Sequence, residues 1–168
     1  CKNPNHSISE FFYLIANLHS LEGNYILSNF YLKISYFMNN NFHPNRALLA
    51  ENYFYLQNYN YAKKIYSFLR KEGEIYSWFS NKKLAHIKSI TGDQQEAILF
   101  LEKEYKKLKE HDFNIFYDLA NFYKGMNLHE KSIKYYSLAL EALPVNHSLK
   151  PKLLYKRGSS YERLGLWN

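Results

Sequence analysis

The stretch FNIFYDLANFYKGMNLHEKSIKYYSLALEALPVN, residues 113–146, decides the fold class of this chain. Its apolar residues form two sets with steps of three and four, namely Phe116, Leu119, Ala120 and Tyr123, then Ile133, Tyr136, Leu140 and Leu143. Each set occupies one face of an α-helix. Met126 and Asn127 interrupt the pattern between them. The stretch therefore predicts two amphipathic helices joined by a tight turn.

The same pattern returns along the whole chain. A small residue on the second helix of each pair recurs at steps of 34, 35 and 35, at Ser28, Ala62, Ala97 and Ser132. Small residues on the first helices are Ala16, Ala50, Ala85, Ala120 and Gly158. A period near 34 residues with two amphipathic stretches indicates an array of helix pairs. The small side chains let paired helices approach to about 8–10 Å.

The pattern predicts an all-α fold of about nine helices. Their approximate ranges are 9–22, 25–38, 45–56, 59–72, 76–90, 94–110, 114–125, 129–143 and 149–164. The two helices of each pair are separated by Gly23-Asn24, Gln57-Asn58, Gly92-Asp93 and Met126-Asn127. Glycine and asparagine tolerate the left-handed conformation that ends a helix. Asn58 and Asp93 are predicted to cap the helices that follow them.

In order and spacing, these residues resemble the tetratricopeptide repeat (TPR) family. The best copy carries Phe116, Leu119-Ala120, Tyr123, Ser132, Tyr136, Ala139 and Pro144. The resemblance implies a right-handed α-solenoid of antiparallel helix pairs. We expect a single array over residues 1–168, with copies at 9–42, 43–77, 78–112 and 113–150 and a half copy at 151–168. His19, Lys88 and Arg157 depart from the family pattern.

The last part of the chain predicts that the parent protein is longer. The segment from Tyr155 to Trp167 is similar to segments inside long bacterial proteins of this family, and the half copy lacks its second helix. We therefore expect a section of a longer bacterial repeat protein. Cys1 fits either a lipidated N-terminus or the boundary of a fragment, and the sequence leaves this open.

Composition limits the class of protein. The net charge of +7 comes mainly from lysine, and only four of the 22 basic residues are arginine. Abundant Asn, Ile, Tyr and Phe accompany the lysines, which is typical of an AT-rich genome. A single cysteine excludes a disulfide framework. No apolar run approaches the roughly 18 residues that span a bilayer. We expect a soluble protein, cytoplasmic or periplasmic.

The motifs of common active sites are absent from the sequence. It has no phosphate-binding glycine loop, no His-Glu-x-x-His and no serine nucleophile elbow. Its seven histidines are scattered, and no two lie three or four residues apart. The sequence therefore predicts a protein that is not an enzyme, with no cofactor and no metal site.

The resemblance implies that the first helices of the pairs line a concave groove for a peptide or a partner helix. The corresponding residues are Tyr13, Asn17, Glu51, Phe54, Tyr55, Lys82, Lys83, His86, Tyr117, Asp118, Asn121, Lys124, Lys152, Tyr155, Lys156 and Glu162. One sub-family clamps a C-terminal carboxylate with Lys and Asn. Asp118 and His86 replace the amides here, which argues against a clamp. An acidic peptide still fits near Lys152 and Lys156.

Three functions follow from these patterns. The first is a non-catalytic scaffold that binds a protein or peptide partner in the groove. The second is a structural segment that associates with itself. The third is a nucleic-acid binder, which requires a single stripe made of Lys82, Lys83, Lys124, Lys152 and Lys156 and predicts binding that weakens steeply with salt.

Overall fold

A computed structural model describes residues 4–166, and this part of the chain forms nine α-helices and no strand. They are α1 (Pro4–Leu21), α2 (Tyr25–Met38), α3 (His43–Tyr55), α4 (Tyr59–Leu69), α5 (Glu74–Thr91), α6 (Gln94–Tyr105), α7 (Phe113–Gly125), α8 (His129–Glu141) and α9 (Lys150–Arg163). The predicted all-α fold is confirmed. The main differences are at α1, which begins five residues early, and at α6, which ends at Tyr105 instead of residue 110. Cys1 and Trp167 lie outside the described residues.

The helices divide between two compact units, Cys1–Ile87 and Lys88–Asn168, which we call the N-terminal and C-terminal units. In the N-terminal unit, α1 packs on α2, α2 on α3 and α3 on α4. In the C-terminal unit, α7 packs on α8 and α8 on α9. Adjacent helices are thus paired within each unit, as the repeat predicts. The single array over residues 1–168 stays a prediction.

The recurring small residues lie in the core. Those at Ala16, Ser28, Ala50, Ala62, Ala85, Ala97, Ala120 and Ser132 are fully buried. Large rings fill the space beside them, since Tyr66, Tyr123 and Tyr136 are buried as well. Gly158 differs, because it is exposed and a Cβ built there meets no heavy atom within 4 Å. The small residues therefore allow close packing of α1 on α2, of α3 on α4 and of α7 on α8.

The turns between paired helices use a left-handed residue at three of the four predicted places. The backbone φ angle is +78° at Gly23, +58° at Gln57 and +59° at Asn127. Gln57 adopts this conformation although its side chain makes it unfavourable. The prediction is wrong at Gly92, which is absent from the residues with positive φ. There the α5–α6 connection turns without a left-handed residue.

The helix caps differ from the prediction in one case. The Asp93 side chain accepts a hydrogen bond from the Gln95 amide at 2.7 Å and caps α6, as predicted. Asn58 occupies the cap position of α4, but its side chain makes no capping hydrogen bond, so that prediction is wrong. Asn24 caps α2 instead, through the Leu27 amide at 3.3 Å.

A polar network inside the N-terminal unit joins three helices. Asn52 of α3 is fully buried, and its Nδ2 donates to Ser28 Oγ at 2.7 Å and to Asn29 Oδ1 at 2.8 Å. Ser20 Oγ of α1 donates to Asn52 Oδ1 at 2.7 Å. Ser28 Oγ in turn donates to the Ala16 carbonyl at 2.7 Å. Because each polar atom of Asn52 is satisfied, the amide holds α1, α2 and α3 in register.

Replacement of Ala120 by leucine tests the packing of the small residues. Ala120 is fully buried where α7 packs on α8, so added methylene groups force the helices apart. We expect Ala120→Leu to lower the free energy of unfolding by about 1–3 kcal/mol. Urea denaturation monitored by circular dichroism measures this, and Gly158→Leu, at the exposed equivalent position, is the control. An unchanged midpoint for Ala120→Leu contradicts the packing argument.

Candidate partner-binding surface

The sixteen residues predicted for the groove fall on five helices. The N-terminal unit holds Tyr13 and Asn17 on α1, Glu51, Phe54 and Tyr55 on α3, and Lys82, Lys83 and His86 on α5. The C-terminal unit holds Tyr117, Asp118, Asn121 and Lys124 on α7, and Lys152, Tyr155, Lys156 and Glu162 on α9.

Glu51 is the centre of a hydrogen-bonded group in the N-terminal unit. Its carboxylate accepts a hydrogen bond from the Tyr66 hydroxyl at 2.7 Å. It also pairs with Lys83 Nζ at 2.6 Å, across from α3 to α5. Burial of Tyr66, followed by the charge of Glu51, raises the pKa of this tyrosine well above its usual value. Glu51 and Lys83 therefore neutralise each other, and Tyr66 keeps its proton.

Aromatic rings surround this ion pair. The ring of Phe54 meets His86 edge to face with centroids 5.3 Å apart, and Lys83 Nζ lies 5.8 Å from the Phe54 centroid. Burial and then the charge of Lys83 lower the pKa of His86. Since the ordinary pKa of histidine is already below 7, His86 is neutral at pH 7. The surface of this group therefore consists of aromatic rings and a neutral imidazole.

The other predicted residues of the N-terminal unit make separate contacts. Tyr13 packs edge to face against Phe42 with centroids 5.2 Å apart. Tyr55 stacks on Tyr25, also at 5.2 Å, and is more than half exposed. Lys82 Nζ lies 5.9 Å from the Phe79 ring. Asn17 is half-buried.

Asn121 is the centre of a hydrogen-bonded group in the C-terminal unit, as Glu51 is in the N-terminal unit. Its Oδ1 accepts from Lys156 Nζ at 2.7 Å and from the Tyr136 hydroxyl at 2.9 Å. Its Nδ2 donates to the Tyr117 carbonyl at 2.8 Å. Lys156 Nζ also lies 5.1 Å from the Tyr117 ring centroid, within cation–π range. Lys156 thus reaches from α9 to α7 and binds a neutral oxygen there.

Further cations gather around this group. Lys124 Nζ donates to Ser159 Oγ and to the Lys156 carbonyl at 3.5 Å, which are again neutral oxygens. Burial, then the charges of Lys156 and Arg163, lower the pKa of Lys124. Burial raises the pKa of Tyr117, but the hydrogen bond and charge of Lys156, together with the charge of Lys152, have a larger effect in the opposite direction. The pKa of Tyr117 is therefore lowered overall. The lowered pKa of Tyr117, and the part of the Lys124 shift that Lys156 and Arg163 cause, indicate a positive electrostatic potential.

The two units thus contain the same three-residue arrangement with different charge. In each unit, a buried tyrosine on the second helix of a pair donates a hydrogen bond to a side chain fifteen residues earlier, on the first helix of that pair. A lysine on the first helix of the next pair donates to the same side chain. We call these the Glu51 triad (Glu51, Tyr66, Lys83) and the Asn121 triad (Asn121, Tyr136, Lys156). The first has a carboxylate at its centre and no net charge. The second has an amide at its centre and retains the charge of Lys156.

Sequence reasoning missed the contributions of the second helices. Tyr66 and Tyr136 were placed in the packing pattern only, yet their hydroxyls organise both triads. The constant separation of fifteen residues from Glu51 and Asn121 was the signal available for them. Of the other predicted residues, Tyr155 and Glu162 are exposed and Asp118 is half-buried.

Among residues 4–166, no group of three or more His, Cys, Asp and Glu side chains is placed to hold a metal ion. Within the same range, no helix combines the length and the apolar character needed to cross a bilayer.

Comparisons with known proteins identify the fold. No protein-family model matches the sequence, and no curated protein matches it. Among solved structures, the crystal structure of MamA protein is similar, with a TM-score of 0.50 and 18% sequence identity over 95% of this chain and 84% of that chain. MamA is a TPR solenoid. At this identity the likeness shows the fold alone, a repeat of helix pairs.

Proposed function

We propose that this chain is a non-catalytic interaction scaffold, and that the Asn121 triad is the centre of a surface for an acidic segment of a partner protein. The observation that carries the proposal is the way its lysines are held. Lys124 and Lys156 donate to amide, hydroxyl and carbonyl oxygens. Their charges are positioned but not neutralised by these bonds, so they remain available to a carboxylate.

Tyrosine rings beside the lysines favour a peptide ligand. Tyr117 lies beneath Lys156, and Tyr155 of the same surface is 78% exposed. Tyrosine gives a large contact area with a polar tip, and it is enriched where proteins bind one another. A carboxylate bound to Lys156 would therefore be flanked by apolar ring surface, which suits Asp or Glu followed by an apolar residue.

The Glu51 triad differs from the Asn121 triad in charge, and this difference supports the assignment of acidic ligands to the Asn121 triad. Lys83 has the same place as Lys156, but Glu51 already pairs with it at 2.6 Å. A ligand carboxylate at Lys83 would have to compete with Glu51, so we assign acidic ligands to the C-terminal unit. The same pairing weakens the nucleic-acid alternative, because it removes Lys83 from the five lysines required for that stripe.

Exchange of the central amide tests the proposal without removal of a lysine. Asn121→Asp gives the C-terminal unit the charge pattern of the Glu51 triad, so Lys156 becomes neutralised in place. We expect this variant and Lys156→Glu each to weaken binding of an acidic peptide by about tenfold or more, a loss of about 1.4 kcal/mol. The probe is a fluorescein-labelled glutamate-rich peptide, titrated by fluorescence anisotropy at low salt.

Three controls make the result specific. Lys134→Glu changes the net charge by two units, as Lys156→Glu does, but at an exposed position of α8, and it should leave binding within about twofold of the parent protein. A lysine-rich peptide of equal length should not bind at the same concentration. Equal binding by the Asn121→Asp variant and the parent contradicts the assigned site, and a parent protein that ignores the acidic peptide contradicts the ligand class. Tighter binding of a single-stranded oligonucleotide would favour the nucleic-acid alternative.

A further inference from the structure

The first helix of the N-terminal unit carries an exposed apolar stripe. Phe11, Leu14, Leu18 and Leu21 follow one another at steps of three and four, so they share one face of α1. Each of them is between 59 and 79% exposed. Since their side chains face solvent, this stripe is not part of the core of the unit.

The second helix extends this apolar surface. Ile26, Phe30 and Phe37 lie on one face of α2 and are 55–83% exposed. Rings connect the two stripes, because Phe11 contacts Phe12 at 5.7 Å, Phe12 stacks on Tyr31 at 6.2 Å, and Tyr31 contacts Phe30 at 5.4 Å. These ring contacts join the α1 stripe to the α2 stripe at Phe11 and Phe30. Lys33 is exposed on the same side of α2, between Phe30 and Phe37. We call the seven exposed apolar side chains of α1 and α2 the N-terminal apolar face. Its members are Phe11, Leu14, Leu18, Leu21, Ile26, Phe30 and Phe37.

The other repeats show that the repeat fold does not require these residues. The positions equivalent to Ile26, Phe30 and Phe37 in later copies are Asn60, Lys64, Lys71, Gln95, Leu99, Lys106, Glu130, Lys134 and Glu141. Eight of these nine are polar or charged. On α3, the equivalents of Phe11 and Leu18 are Asn45 and Asn52, which are fully buried. The first copy thus exposes apolar side chains at positions that, apart from Leu99, hold polar or charged residues in the copies compared.

The face also has almost no charge. Between Pro4 and Met38, the acidic and basic side chains other than histidine are Glu10, Glu22 and Lys33, in a chain whose net charge is +7. Copies of such a basic protein repel one another through most of their surface. They meet without this repulsion where lysine and arginine are scarce, as they are on α1 and α2.

We propose that the N-terminal apolar face binds the same face of a second copy of this chain. Its width favours this occupant, since one partner helix laid along α1 would leave the stripe of α2 exposed. The second copy presents two apolar helices to two apolar helices around a twofold axis. With roughly 200 Å² for each large side chain, complete burial of all seven would remove about 1,000 Å² per partner from solvent, comparable to the roughly 800 Å² per partner of a standard interface.

The oligomeric state of the full chain tests this proposal. We expect sedimentation velocity over a concentration series to show a monomer–dimer equilibrium for the parent protein. Leu18→Glu and Phe30→Glu each place a charge inside the interface and should raise the dissociation constant by at least about tenfold. Leu99→Glu makes the same kind of change at another exposed apolar side chain, on α6, and should leave the dissociation constant unchanged.

A second measurement locates the interface. Hydrogen exchange at high and low protein concentration should show concentration-dependent protection in α1 and α2. A parent protein that stays monomeric up to about 100 μM overturns the proposal. So does a dimer that Leu99→Glu disrupts as strongly as Leu18→Glu, or whose protected helices lie outside α1 and α2. Circular dichroism of each variant confirms that the helices are intact, so loss of the dimer is not loss of the fold.

Discussion

Replacement of Asn52 by leucine is expected to lower the free energy of unfolding by about 2–4 kcal/mol, although leucine is the more hydrophobic residue. Asn52 is fully buried and makes hydrogen bonds to Ser20, Ser28 and Asn29. Leucine removes all of these hydrogen bonds and leaves the carbonyl of Asn29 and the hydroxyl of Ser20 inside the unit without this partner. An unsatisfied buried polar group costs about 1–3 kcal/mol.

Chemical denaturation with a matched variant separates this effect from a change in helix propensity. Asn60→Leu makes the same substitution at an exposed position of α4. It should leave the free energy of unfolding within about 0.5 kcal/mol of the parent protein. If Asn52→Leu is as stable as Asn60→Leu, the hydrogen bonds of Asn52 do not hold α1, α2 and α3 together.

The same network shows which part of the fold could be read from the sequence. Steps of three and four predicted the helices, and the recurrence of Ala16, Ala50 and Ala120 predicted their pairing, because these signals are periodic. Asn52 carries no such signal. Asparagine is usually exposed, and its burial becomes visible only when Ser28 of one helix and Ser20 of another are placed around it.

Only part of the candidate site could likewise be predicted from the sequence. Glu51, Lys83, Asn121 and Lys156 lie on the first helices of the pairs, while the groove that the family resemblance implies for them stays a prediction. The pairing of Glu51 with Lys83 and of Asn121 with Lys156 was not visible in the sequence. The two members of each pair lie on different helices and are 32 and 35 residues apart, respectively. The sequence therefore suggested one row of groove residues. The structure shows a neutral triad in one unit and a positive triad in the other.

Buried tyrosines should make this protein unfold in alkali. Tyr66, Tyr123 and Tyr136 are at most 1% exposed, and their hydroxyls donate to Glu51, Glu102 and Asn121. Burial comes first among the causes that raise all three pKa values, from 10.0 to about 12 for Tyr136. Glu51 and Glu102 raise those of Tyr66 and Tyr123 further, since a carboxylate repels a neighbouring phenolate.

The sign of the effect follows from the protons that each state binds. Above pH 10 the unfolded chain releases these three protons and the folded chain keeps them, so stability falls as pH rises. The loss is about 1.4 kcal/mol per pH unit for each tyrosine, or about 4 kcal/mol per unit for all three. This loss continues until about pH 12, where Tyr136 ionises in the folded state as well. Tyr117 has a lowered pKa and contributes weakly in the opposite direction.

Urea denaturation at successive pH values between 8 and 12 measures the slope, and tyrosinate absorbance reports which state is ionised. Tyr136→Phe should reduce the slope by about a third, because one of the three protonated hydroxyls is gone. Tyr155→Phe, at an exposed tyrosine, should leave the slope unchanged. A stability that stays constant to pH 12, with all tyrosines ionised in the folded protein, would contradict the burial of these hydroxyls. Between pH 10 and pH 12 the loss amounts to about 8 kcal/mol, which is comparable to the total stability of about 5–15 kcal/mol of a protein. The rings that fill the space between paired helices must remain protonated for the fold to persist.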